Sequence, residues 1–200
     1  MNYSLEVFFI LSVSVLFKRL RNIHKKIVTL ILLMFLLLSL LMLTGCFVDT
    51  AVEVSDRTAE KALQIALEQQ DKSYVWGGRG PDEFDCSGLI TWAYKQAVGR
   101  KKIFSISGYT TTDATMSDLY YWNVKQISLE EMEAGDIIFM TSGENEVSHG
   151  GLFIEWINEK EFLFVHASSA RGKVVTDHWN TEKSGAYHEL IGAGRLTADR

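Results

Sequence analysis

The feature that most constrains this chain is a change of hydrophobic period at Ala134-Gly135-Asp136. Upstream, apolar residues recur with helical spacing. Ala59, Ala62, Leu63, Ala66 and Leu67 fall at i, i+3, i+4, i+7 and i+8, one face of a helix that Ser55 or Asp56 can cap and that ends near Gln70. Leu89, Ile90, Trp92, Ala93, Ala97 and Val98 mark a second, largely buried helix from Cys86 to about Val98, and a weaker helical pattern covers Thr110 to Trp122. Downstream, Ile137 to Met140, His149 to Trp156, Phe162 to Ala167, Val174 to His178 and Ile191 to Leu196 read as strands. Helices followed by a run of neighbouring strands predict an α+β fold with a mostly antiparallel sheet of about five strands.

The first 45 residues stand apart. Lys18 to Lys26 is a basic cluster, and Ile27 to Leu43 is apolar except for Thr29 and Ser39. The run ends at Leu43-Thr44-Gly45-Cys46, a hydrophobic residue, two small ones and a cysteine. Basic, apolar, then small is the order of a secretory signal. The closing tetrapeptide resembles a bacterial lipobox, which implies lipidation of Cys46 as the new N-terminus. The competing reading is a membrane-spanning helix, since a run of 17 residues reaches the lower limit for a span. Either way the basic cluster stays inside and the rest lies on the extracytoplasmic face. Val7 to Phe17 is a further apolar run, explained by a start site placed too early or by an extra membrane segment. The expected organisation is therefore a leader over 1–45, a tether over 46–56 and one domain over 57–200.

Composition matters once the leader is set aside. The chain holds 20 Lys/Arg and 25 Asp/Glu, of which five and one lie in residues 1–45, so the remainder carries 15 and 24, a net −9. That argues against a nucleic-acid partner, which wants a basic face.

Between the two helices lies a loop with Gly77, Gly78, Gly80 and the only proline, Pro81, leading into Phe84-Asp85-Cys86-Ser87-Gly88-Leu89-Ile90. A thiol at a loop-to-helix junction meets the positive end of the helix dipole and unpaired N–H groups, both of which favour thiolate. A nucleophile would be placed here, although a free cysteine buried as a small hydrophobe is the common alternative. Such a nucleophile needs a histidine base oriented by a third polar group. His149 opens one strand and His166 lies near the end of the next. If these strands form a hairpin turning on Asn158-Glu159, His149 faces Ser168 and His166 is its diagonal neighbour on the same face. An odd-length turn would separate them. His24 lies in the leader, and His178 and His188 are read as ordinary surface or core residues. No C-x-x-C or H-x-x-x-H spacing points to zinc, so no metal or other cofactor is expected.

Five segments, taken in order, carry a resemblance. Tyr74-Val75-Trp76-Gly77-Gly78, Phe84-Asp85-Cys86-Ser87-Gly88-Leu89-Ile90, Ala134-Gly135-Asp136-Ile137-Ile138-Phe139, His149-Gly150-Gly151-Leu152-Phe153-Ile154 and Val165-His166-Ala167-Ser168 resemble the successive motifs of the NlpC-type cell-wall endopeptidase family. The resemblance implies a papain-like α+β fold and cleavage of γ-D-glutamyl–diamino acid bonds in peptidoglycan stem peptides. It implies Cys86 as nucleophile, His149 as base and His166 as the residue that orients it. Tyr74 matches the oxyanion tyrosine, and Asp85 and Ser87 match positions that hold a stem peptide's free amine in some members. With Cys46 as anchor and Cys86 reactive, no disulfide is expected.

The chain departs from the family pattern in four places. Ala134 replaces a proline and Gly150 a β-branched residue, which loosens that strand. The segment between His149 and His166 is longer, and Lys101 to Thr112 matches poorly. The reading is a lipid-anchored, monomeric cysteine peptidase acting on peptidoglycan peptides. The alternatives are an amidase or acyltransferase of the same fold, and a lipoprotein that binds wall peptides without cleaving them.

Overall fold

The computed structural model describes residues 24–36, 52–53, 55–100, 102–141, 146–183 and 188–198. The chain divides into two units, residues 1–48 and 49–200. Of the first, residues 24–36 are described and form a helix (α1) with exposed apolar side chains such as Leu30 and Phe35. Among the described residues no helix is long and apolar enough to cross a membrane. Cys46, the end of the leader and most of the expected tether lie outside the described residues.

In the second unit, Val52–Glu53 (β1) pairs with the C-terminal strand, so a sheet edge occupies part of the expected tether. Helix α2 spans Asp56–Leu67 and buries Ala59, Ala62, Leu63 and Ala66. This mostly small-residue face lets helix α3, Cys86–Val98, pack closely against it. The loop between them contains two short parallel strands, Ser73–Tyr74 (β2) and Glu83–Phe84 (β3). Helix α3 ends where Gly99 takes a left-handed φ of 73°, a conformation open to glycine without a Cβ penalty.

The helix expected over 110–122 is mostly absent. Phe104–Ile106 (β4) and Tyr109–Thr111 (β5) form a hairpin, since the β-branched run Thr110-Thr111-Thr112 suits a strand. Helical structure begins only at Met116–Asp118 (α4), where Thr115 and Asp118 make a reciprocal capping box, and continues as a π-turn over Leu119–Asn123.

All five expected strands are present as Ile137–Thr141 (β7), Val147–Asn158 (β8), Glu161–Ser168 (β9), Lys173–Asn180 (β10) and Glu189–Ala198 (β11). With Val124–Ile127 (β6) on β11 and short strands at the edges, the sheet reaches nine strands rather than five. Its order is β1-β11-β7-β8-β9-β10-β2-β3, antiparallel except for the β2–β3 pair. Every residue of β7 is buried. Ile137 and Phe139 join the core beneath the helices, while Ile138 and Met140 join a second cluster with Phe153, Phe162 and Phe164. Two covered faces explain why this strand reads as an unbroken apolar run.

The Ala134-Gly135-Asp136 segment fastens the helices to the sheet. A Cβ on Gly135, whose φ is 95°, would lie 2.3 Å from the Ala59 carbonyl oxygen of α2. Its own carbonyl accepts the Tyr94 hydroxyl at 2.8 Å. Asp136 is buried and holds Arg195 of β11 by Nε at 3.0 Å and Nη2 at 2.9 Å.

Gly150 does not loosen β8 as expected. It faces Phe139 in the ladder, and a Cβ there would come within 2.2 Å of the Ile138 carbonyl oxygen and 2.4 Å of Met116 Cε. Small size is what permits the strand and α4 to close together. Gly150→Val should therefore lower unfolding stability by at least ~1–3 kcal/mol in urea titrations, the usual cost of overpacking. An unchanged midpoint would show that β8 accommodates the family's residue after all.

Candidate active site

The position of Cys86 is built by the carboxylate of Asp85, the N-cap of α3. Oδ1 accepts from the Gly88 N–H at 2.6 Å and from the Ser87 hydroxyl at 2.9 Å. Oδ2 accepts from the Gly77 N–H at 3.0 Å and pairs with Arg79 Nη1 at 2.5 Å. Arg79 is held in turn by Asp113 through Nε at 2.5 Å. The glycines make the approach possible: a Cβ on Gly88 would lie 1.9 Å from the Gly78 carbonyl oxygen. A carboxylate has about four acceptor positions, and those of Asp85 are all engaged inside the protein. Ser87 is likewise turned toward Asp85. A substrate ammonium at either side chain would have to displace one of these partners.

Cys86 follows as the first helical residue, buried at 7% exposure, with Sγ 3.7 Å from the Ser148 carbonyl oxygen. That carbonyl belongs to a bulge: β7 pairs Met140 with His149 and Thr141 with Val147, so the register shifts at Ser148. The bulge turns the start of β8 toward the head of α3.

The β8–β9 hairpin turns one residue later than expected, with Asn158 facing Glu161. Bulges at Ile157 and Ile154 then slip the pairing, so that Leu152 faces Val165. Continued toward the site, this register sets Gly151 against His166 and His149 against Ser168, the predicted relation reached by another route. Two bulges reverse the side-chain alternation twice, so both imidazoles remain on one face. A Cβ on Gly151 would sit 2.9 Å from His166 Cβ, so its absence leaves room for the pair.

His149 Nε2 and His166 Nδ1 are 2.7 Å apart, and both residues are buried. His166 Nε2 lies 3.5 Å from Asp177 Oδ2, and Asp177 Oδ1 accepts from Arg171 Nη2 at 2.9 Å. His188, which sequence reasoning set aside, stacks on His149 with ring centroids 4.7 Å apart and planes at 16°. No spacing rule links residue 188 to 149, so only the β11–β7 pairing beside β8 could reveal it. His178 is exposed on β10.

Burial dominates the electrostatics. It pushes the Cys86 thiol up to about 11, with Asp85 adding to the rise and the N–H groups of the helix start and Arg79 opposing it. The expected thiolate bias of the helix terminus exists but loses to desolvation. Burial, His166 and His188 push His149 down to about 3. Burial lowers His166 too, partly offset by Asp177, and lowers His188. Tyr74 keeps its proton through burial and the nearby Cys86 and Asp85. At rest the site is a neutral thiol beside neutral imidazoles, with the S–H directed at the Ser148 carbonyl. Such a site can activate sulfur by proton transfer during attack rather than by storing a thiolate.

A model of the NlpC/P60 family matches residues 71–192, which include Tyr74, Cys86, His149, His166 and Asp177. A Mycobacterium tuberculosis protein named as a probable endopeptidase is 32% identical over 114 residues, 57% of this chain and 24% of that protein. The Escherichia coli murein DD-endopeptidase MepH is 27% identical over 114 residues, 56% of this chain and 38% of the relative. The matched region is thus well under half of either relative. A Staphylococcus aureus protein of the NLP/P60 family, described as similar to lipoprotein, superposes with a TM-score of 0.51 at 29% identity, covering 74% of this chain and 44% of that one.

The depressed histidines fix the sign of an acid effect. Between pH 6.5 and about 3 the unfolded chain binds a proton that folded His149 refuses, so stability falls as pH drops through that window. His149→Gln removes this residue's share. Its urea midpoint should decline less steeply than the wild type's across the same window. Parallel declines would mean that His149 is readily protonated in the folded protein.

Proposed function

The chain belongs to the NlpC/P60 family, and on that premise we propose that it is a cysteine peptidase hydrolysing an amide bond of peptidoglycan stem peptides. The observation that carries this reading is the 2.7 Å hydrogen bond between the buried rings of His149 and His166 beside a cysteine at a helix start. Burial opposes protonation of His149 and His166 alike, so the pair stays neutral and able to accept a proton. It thereby supplies an oriented base.

In the proposed reaction His149 accepts the Cys86 proton through its free ring nitrogen as sulfur attacks the scissile carbonyl. The negative charge that forms on oxygen is met by the backbone N–H of Cys86 and by the Tyr74 hydroxyl, which stays a donor because its pKa is raised. The protonated His149 then gives its proton to the leaving amine, and water, deprotonated by the same ring, releases the acyl group. His166 orients His149 throughout.

The bond we assign is γ-D-glutamyl–diamino acid, in keeping with the motif pattern around Cys86. The E. coli relative is named for a D,D bond, so fragment analysis is the deciding measurement. Mass spectrometry of purified peptidoglycan after digestion should reveal new fragments ending in D-glutamate. Products of D,D cleavage alone would reassign the bond. Cys86→Ala should give no fragments, and His149→Ala should lose at least ~10²-fold in kcat/KM, the lower end of general-base assistance. Full activity in either variant would remove these residues from the chemistry.

We place the domain on the extracytoplasmic face of the membrane, tethered by a lipid on Cys46. Support comes from Leu43-Thr44-Gly45-Cys46 and from the staphylococcal relative described as similar to lipoprotein. Cys46→Ala should leave an unprocessed precursor without lipid mass. A wild-type mature N-terminus elsewhere than Cys46 would defeat the assignment.

A further inference from the structure

We infer that Asp177 is a positioning residue that dictates where the protons sit on both histidines of the site. The inference rests on the cysteine-peptidase reading for its functional meaning, though not for its physical content. Asp177 lies on β10, where Val175 faces His166, so Asp177 is the diagonal neighbour of His166 on the same face of the sheet. Its Oδ2 points at His166 Nε2 across 3.5 Å, and its Oδ1 is tied to Arg171 Nη2 at 2.9 Å.

A neutral imidazole carries one N–H and one lone pair, and a carboxylate only accepts. The His166 proton is therefore favoured on Nε2, facing Asp177. Its Nδ1 is then a lone pair and accepts the Nε2–H of His149 across the 2.7 Å contact. That leaves His149 Nδ1 without a proton, which is the state a base requires. The opposite arrangement would turn the His166 Nε2 lone pair toward the carboxylate, put its proton on Nδ1, and force the His149 proton onto the nitrogen meant to receive one. One carboxylate, two ring widths away from the base, thus selects between an active and an inactive tautomer.

Arg171 makes this selection testable. In Asp177→Asn the side-chain carbonyl oxygen should turn to the Arg171 guanidinium, because only oxygen can accept from it. The amide NH2 then faces His166 and donates to Nε2, forcing the inactive order. Asp177→Ala imposes no order at all. The isosteric Asn variant should therefore be the worse one, losing ~10²–10⁴-fold in kcat with little change in KM, the range spanned by loss of a general base. Asp177→Ala should lose no more than about ten-fold, and Asp177→Glu should retain most activity. Adding Arg171→Met to Asp177→Asn frees the amide to turn over and should restore kcat toward the Ala level. A side chain needed only for stability would give the reverse ranking of Asn and Ala.

The companion measurement needs no substrate. Nitrogen-15 NMR of the labelled protein near neutral pH should find the His166 proton on Nε2 in the wild type and on Nδ1 in Asp177→Asn. A wild-type proton on Nδ1, or the same tautomer in both proteins, overturns the inference whatever the enzyme cleaves. The expected NMR result with no cleavage by the wild type would instead sink the peptidase reading and leave the relay standing. Expected NMR with cleavage but equal kcat for Asn and Ala would mean that the tautomer does not govern the rate, which also overturns the inference.

Discussion

Four donors converge on the carboxylate of Asp85, and the geometry around Cys86 depends on that convergence. The Gly88 N–H and the Ser87 hydroxyl start helix α3, the Gly77 N–H folds the glycine loop back over it, and Arg79 links both to Asp113. An N-cap satisfies N–H groups that the helix leaves unpaired. Here the same oxygens also tie down the loop from which Tyr74 emerges. Cys86 is thereby held by its backbone on both sides, and the thiol needs no anchoring bond of its own beyond its weak contact with the Ser148 carbonyl.

Burial then sets the chemistry. Burial of the thiol and of the His149 and His166 rings disfavours their charged forms, so neither sulfur nor ring is charged at rest. A permanent thiolate–imidazolium pair would have to overcome the desolvation of two ions. In the proposed reaction a neutral pair instead moves one proton at the moment a carbonyl arrives, with the tautomer we infer Asp177 to have chosen already. The same burial makes the histidines a liability in acid, so one physical cause links the resting state of the site to the pH dependence of the fold.

The sheet contributes alignment through its irregularities. The Ser148 bulge brings the strand toward α3, and the pair at Ile154 and Ile157 restores a register that the displaced turn would otherwise have shifted. Gly150 and Gly151 matter for what they lack. A Cβ on Gly150 would lie 2.4 Å from Met116 of α4, and one on Gly151 would lie 2.9 Å from His166 Cβ, so their absence lets β8 approach both.

Much of this was legible in the residues themselves. Hydrophobic period marked α2, α3 and the five long strands, because a one-sided helix and a buried strand each leave a local pattern. The junction at Phe84-Asp85-Cys86 and the ordered motifs singled out Cys86, His149 and His166. The helix over 110–122 was misread because its period is confined to a capped turn after a β-branched run. Tertiary structure alone decided which side chains meet without a spacing that marks them: His188 stacked on His149, Asp177 behind His166, and Arg79 closing the fourth acceptor of Asp85. It also reversed the expected balance at the thiol. A helix terminus can be inferred from sequence, but the desolvation that outweighs it exists only once the chain has packed around the sulfur.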